Sequence, residues 1–122
     1  MRKTLFTTIA ALVVATPALA DEWDFVLINS SGKEIKLVEI APNGSTTWAK
    51  NRIDEEIKKA TTTKPGGRMT VHFDKEGSQC RYDVKVTFMD DSSSVWTNIN
   101  VCDNAYVTVK YNAAGAPTFT AN

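Results

Sequence analysis

Histidine is nearly absent from this chain: His72 is the only one in 122 residues. A histidine base needs a nucleophile within hydrogen-bond reach and a group to orient it. Nothing in Thr70-Val71-His72-Phe73 marks a neighbour as activated, so His72 reads as a structural or surface residue. Cysteine is almost as scarce. Cys80 and Cys102 form no Cys-x-x-Cys pair and have no second histidine to join them, which removes the spacings of zinc ligation and thiol redox catalysis. Net charge is lacking too, with fourteen basic against fourteen acidic side chains. Without a basic face to neutralise phosphates, nucleic acid is excluded as a partner. No glycine-rich phosphate loop, EF-hand or cofactor fingerprint occurs, so no catalytic, cofactor or metal residues are assigned and no cofactor is expected.

What is present begins with an export signal. Met1-Arg2-Lys3 is a basic start, Leu5 to Ala15 an apolar stretch, and Ala18-Leu19-Ala20 a site of the kind signal peptidase accepts. The stretch is shorter than the roughly 18–20 residues that span a bilayer, and Pro17 interrupts it, so no stable membrane span is expected after cleavage. The expected organisation is a cleavable signal over 1–20 and a single domain over 21–122, periplasmic or secreted. Loss of Arg2 and Lys3 leaves twelve basic against fourteen acidic groups, a net charge of −2. In an oxidising compartment, Cys80 and Cys102 are expected to form a disulfide.

Period-two alternation dominates the mature part and predicts strands. Trp23, Phe25 and Leu27 share one face, and Asn29-Ser30-Ser31-Gly32 follows as a turn. A second strand over 33–40 places Ile35 and Leu37 opposite Lys36, Val38 and Ile40, and Pro42-Asn43-Gly44 ends it. A short third strand is expected around Trp48 over 45–50. Asn51 then caps a short helix with Asp54, Glu55 and Glu56 in its first turn and Lys58 and Lys59 in its last. Strands follow over 68–74, 80–89, 94–102 and 105–111, with an edge candidate at 116–120. The fifth has a clean apolar face, Tyr82, Val84, Val86 and Phe88, against Arg81, Asp83, Lys85 and Thr87. Setting Cys102 opposite Cys80 puts Trp96 opposite Val86 but turns Ile99 and Val101 outward; either a bulge near Thr97-Asn98 switches the face, the favoured reading, or a second layer covers Ile99 and Val101. The fold class is therefore all-β: an antiparallel, Greek-key-like sandwich of seven or eight short strands with one inserted helix.

The succession Asn29-Ser30-Ser31-Gly32, Trp48, Cys80-Arg81-Tyr82-Asp83-Val84-Lys85-Val86, Trp96 and Cys102 resembles a group of small exported bacterial β-proteins. They share an Asn-x-Ser/Thr-Gly first turn and a Cys-x-Tyr/Trp-Asp-x-Lys-Val strand followed by Trp and Cys. The resemblance covers nearly all of the mature chain and implies no established activity. Where relatives have a more acidic, glycine-containing turn, this chain has Asp91-Ser92-Ser93.

Three functional classes are open to such a domain. The first is a non-enzymatic binding or accessory module whose partner is another envelope protein or glycan. Trp48 is the candidate binding surface, since it stands between the polar stretches Ser45-Thr46-Thr47 and Lys50-Asn51-Arg52. The second is a small hydrolase or lyase working with carboxylates from Asp54, Glu55, Glu56, Asp90 or Asp91. The third is a calcium-stabilised structural module, with Asp90-Asp91 or Asp54-Glu55-Glu56 as the oxygen clusters.

Overall fold

The computed structural model describes residues 20–53 and 62–122. Eight strands are laid down in order: β1 (Ala20–Ser30), β2 (Ile35–Pro42), β3 (Ala49–Lys50), β4 (Arg68–Glu76), β5 (Arg81–Phe88), β6 (Ser93–Asn100), β7 (Tyr106–Tyr111) and β8 (Pro117–Ala121). They form two four-stranded sheets, β4-β1-β7-β8 and β3-β2-β5-β6, packed face to face as a sandwich. β4 returns beside β1 while β3 lies beside β2, which gives the Greek-key-like connectivity. Residues 1–19 of the expected signal and residues 54–61, which hold most of the expected helix, lie outside the described residues. Cleavage after Ala20 would remove only the terminal pair Ala20↔Glu76 from the β1–β4 ladder.

The alternation places the core. Phe25 and Leu27 of β1, Val71 and Phe73 of β4, and Val107 and Val109 of β7 face Ile35, Val38 and Ile40 of β2, the apolar face of β5, and Trp96 and Ile99 of β6. Each side chain of this size removed from water contributes about 1.5–3 kcal/mol, which is what holds two otherwise separate sheets together. One pairing departs from an all-antiparallel arrangement: β1 and β7 run parallel, with Val26 opposite Tyr106 and Ser30 opposite Lys110.

Three local expectations are corrected. Leu37 does not share the face of Ile35, because a bulge between Ile35 and Leu37 shifts the β2–β5 register and brings Val38 and Ile40 to the core instead. The strand around Trp48 shrinks to Ala49–Lys50, since only Glu39 and Ile40 are opposite it. Trp96 lies opposite Val84 rather than Val86. The bulge itself is at Thr97-Asn98: these two residues stand against the single Asp83, and Asn98 takes a left-handed φ of 60°. The extra residue returns Ile99 to the interior, where it is fully buried.

Cys80 and Cys102 are bonded to each other, with Cα atoms 5.3 Å apart. The bridge joins the start of β5 to the segment after β6, where Val101 N–H donates to Cys80 O at 3.0 Å.

Candidate functional site: a cleft at the open side of the sandwich

β3 and β4 are the terminal strands of their sheets, and on that side the sandwich stands open. A cleft of about 350 Å³ occupies the gap. Its floor is Ile40, Phe73 and Tyr82, all core residues reached from the side; its rim is Ser45, Thr47, Lys50, Arg52, Asp74 and Glu76. An apolar floor with a few convergent polar groups is the usual composition of a ligand site. The rim charges are balanced, and Arg52 Nη1 pairs with Asp74 Oδ1 at 2.6 Å. Tyr82 Oη accepts the Glu76 N–H at 3.0 Å. Burial pushes the Tyr82 phenol above its ordinary pKa against the opposing pull of that N–H, so it stays neutral and is unsuited to act as a base.

Asn51, next to the rim residue Arg52, ties the two sheets together. Its N–H donates to Val38 O of one sheet, while its side chain bridges to the other: Nδ2 donates to Thr70 O at 3.1 Å and Oδ1 accepts the His72 N–H at 2.8 Å. An amide side chain thus takes the place of a further strand along part of the β4 edge. Oδ1 also receives the Ile53 N–H at 3.4 Å, the bond expected of a helix cap, but the two bonds to β4 are the better ones and explain why Asn51 is buried.

Trp48 lies beside the cleft rather than in it. Its neighbours Thr47 and Ala49 line the cleft, whereas the indole is half-buried over Lys85, whose Nζ sits 5.9 Å from the ring centroid. Together they put an aromatic face and a cation next to the opening.

The acidic turn is elsewhere. β2 runs from Ile35, opposite Phe88, to Pro42, opposite Tyr82, so the β5–β6 turn and the cleft stand at opposite ends of it. Asp90 pairs with Lys33 Nζ at 3.0 Å, and Asp91 pairs with Lys36. Two lysines therefore already supply the positive charge that this oxygen cluster attracts. Asp54, Glu55 and Glu56 lie outside the described residues, among which no group of three or more His, Cys, Asp or Glu is placed to hold a metal. His72 is paired with Asp24 across the outer face of the β4–β1 ladder.

Three polar residues on which the fold depends were not legible as such. Asp83 was assigned to the solvent face of β5, yet it is only 6% exposed. The Pro42–Ser45 turn and the β6 bulge fold over it, and its carboxylate accepts from Asn43 Nδ2 at 2.8 Å, Gly44 N at 3.1 Å and Asn98 N at 2.9 Å. Asn29 is fully buried, with Nδ2 donating to Lys33 O and Thr63 O and Oδ1 accepting from Ser31. Lys75 is 4% exposed; its Nζ lies 5.2 Å from the Trp23 ring centroid and donates to the carbonyls of Gly77 and Gln79. Its strand parity with Val71 and Phe73 was the available signal.

No protein-family model matches the chain, and no curated protein matches it. Among solved structures, the NMR structure of a protein from Eubacterium rectale is similar, with a TM-score of 0.53 over 82% of this chain and 87% of that one at 14% identity. At that identity the likeness is one of fold, and the chain is a β-sandwich of the same general shape as that protein.

Proposed function

We propose that residues 21–122 are a non-catalytic binding module that works outside the cytoplasm, in the periplasm or medium, and engages another envelope protein or glycan at the cleft and the adjoining Trp48 face. The observation that carries this reading is the 350 Å³ opening with its apolar floor and polar rim. It is large enough to admit a side chain or a sugar ring, and Trp48 extends its surface. The non-catalytic reading is supported by two groups of the cleft: Asp74 on the rim is bound to Arg52, and the Tyr82 phenol in the floor is raised by burial and so unsuited to act as a base. The extracytoplasmic setting is supported by the Cys80–Cys102 bond, of a kind that persists in oxidising compartments, and by the leader over 1–20.

The test uses the mature protein as immobilised bait against an envelope extract, alongside Trp48→Ala and Ala49→Arg. Both positions are outside the core, so both variants should fold within about 1 kcal/mol of wild type. Wild type is expected to retain one saturable partner and the variants to lose it. Equal retention by all three, or no saturable partner for wild type, overturns the reading. Trp48→Ala lowering stability by about 3 kcal/mol or more would make Trp48 a packing residue instead.

A further inference from the structure

The turn that walls the cleft, Pro42-Asn43-Gly44-Ser45, contains an Asn-Gly step. In that step the glycine nitrogen can attack the asparagine side chain with no Cβ to hinder it. The Gly44 nitrogen would bond to Asn43 Cγ and lose its proton, the Cγ–Nδ2 bond would break with ammonia leaving, and water would open the cyclic imide to aspartate or isoaspartate. Nothing shields the step sterically. Asn43 and Gly44 are exposed, and a Cβ built on Gly44 meets no atom within 4 Å.

Both nitrogens of that reaction nevertheless hang on one carboxylate. Asn43 Nδ2 donates to Asp83 Oδ1 at 2.8 Å and Gly44 N–H donates to Asp83 Oδ2 at 3.1 Å. Asp83 is itself fixed by burial and by the Asn98 N–H. We infer that Asn43 is a latent site of spontaneous deamidation and that Asp83 is the residue that keeps it closed. The attacking nitrogen must shed its proton, and an anion bonded to an N–H favours the protonated form. The attacked carbon must also turn its face to that nitrogen, and the same carboxylate holds the amide in place. Ser45 N–H to Pro42 O at 2.8 Å and Asn43 N–H to Arg81 O at 3.0 Å restrain the backbone on either side. Deamidation would set a carboxylate at position 43 against that of Asp83, replacing a hydrogen bond by like-charge repulsion. Pro42 and Ser45, which line the cleft, would move with the turn.

The experiment is peptide mapping of isoaspartate during incubation at mildly alkaline pH. In native wild type, Asn43 is expected to react no faster than Asn112, which precedes Ala113; in urea it should become the fastest asparagine. Asp83→Asn should raise the native rate at Asn43 by about tenfold or more, the loss of one charge-assisted hydrogen bond converted into rate. A native rate equal to that in urea overturns the inference, as does slower reaction in Asp83→Asn, which would make Asp83 a base for the attack. If Asp83→Asn does not fold, amide exchange of Gly44 in wild type decides: this exposed N–H should be protected, and exchange at the unprotected rate overturns the inference.

Discussion

At the scale of single residues, the short motifs of this sequence are explained by hydrogen bonds that the fold cannot do without. Asn29 fills both ends of its amide with backbone partners in a site closed to water. Asn29→Ala should therefore cost about 2–3 kcal/mol, since the carbonyls of Lys33 and Thr63 would lose a donor together, whereas Ser30→Ala on the exposed neighbour should change stability by less than about 0.5 kcal/mol. Urea titration of both variants checks the contrast. The same burial closes Asn29-x-Ser31 to glycan attachment, although the tripeptide matches an acceptor. Asp91 poses the reverse case, with a φ of 66° that favours glycine and a partner, Lys36, on an exposed surface. Asp91→Gly should stabilise by up to about 1 kcal/mol, because relief of the left-handed backbone outweighs an exposed ion pair, while Asp91→Val should destabilise. Thermal melts that reverse this order would show the Lys36 pair to matter more than the backbone. Alternation puts Asn29 on the buried face with Phe25 and Leu27 but does not show that Thr63 satisfies its amide, and it puts Asp83 on the outer face, where only the Pro42–Ser45 turn and Asn98, from elsewhere in the chain, bury it.

At the scale of elements, two turns distant in sequence are held together by charge. Lys33 in the β1–β2 turn and Lys36 at the adjoining start of β2 reach Asp90 and Asp91 in the β5–β6 turn. The Asp90 carboxyl is held down to about 2, first by the Ser92 hydroxyl and then by Lys33. A carboxyl whose folded pKa lies below its ordinary 3.8 stabilises the fold above that value and loses the contribution as pH falls toward 2. Carbon-detected NMR titration should place the Asp90 midpoint near 2, with Ser92→Ala raising it more than Lys33→Gln; a larger rise for Lys33→Gln would reverse the assignment of cause. Strands with one clean face were legible, β5 most of all, because a single core imposes period two. The bulge in β6 was legible for the opposite reason: Ile99 and Val101 broke the pattern, which an extra residue or a second covering layer could repair, and the structure has the extra residue. The bulge in β2 was not, since Leu37 and Val38 suit either face. The cleft was beyond reach of the sequence, because it exists only where two sheet edges, β3 and β4, come together.

At the scale of the whole molecule, one covalent bond closes the loop over β5 and β6. Fixing a separation of 22 residues should stabilise the fold by about 3 kcal/mol, so reduction should lower the melting temperature by about 10 °C or more. Calorimetry with and without reductant measures this, and unchanged melting would show that the reduced chain keeps the same constraint by packing alone. The parallel pairing of β1 with β7 has a different kind of consequence. β1 is an inner strand of its sheet, yet its partners are β4 and β7, and Ala105 and Tyr106 are further tied to Asn122 at the very end of the chain. Contacts between such distant positions make folding slow, because a large loop must close before they form. The first sheet cannot be completed while the C-terminal residues are still being synthesised. Until β7 arrives, β1 therefore has a neighbour on one side only, and the edge that β7 comes to cover stays open for most of the chain's length.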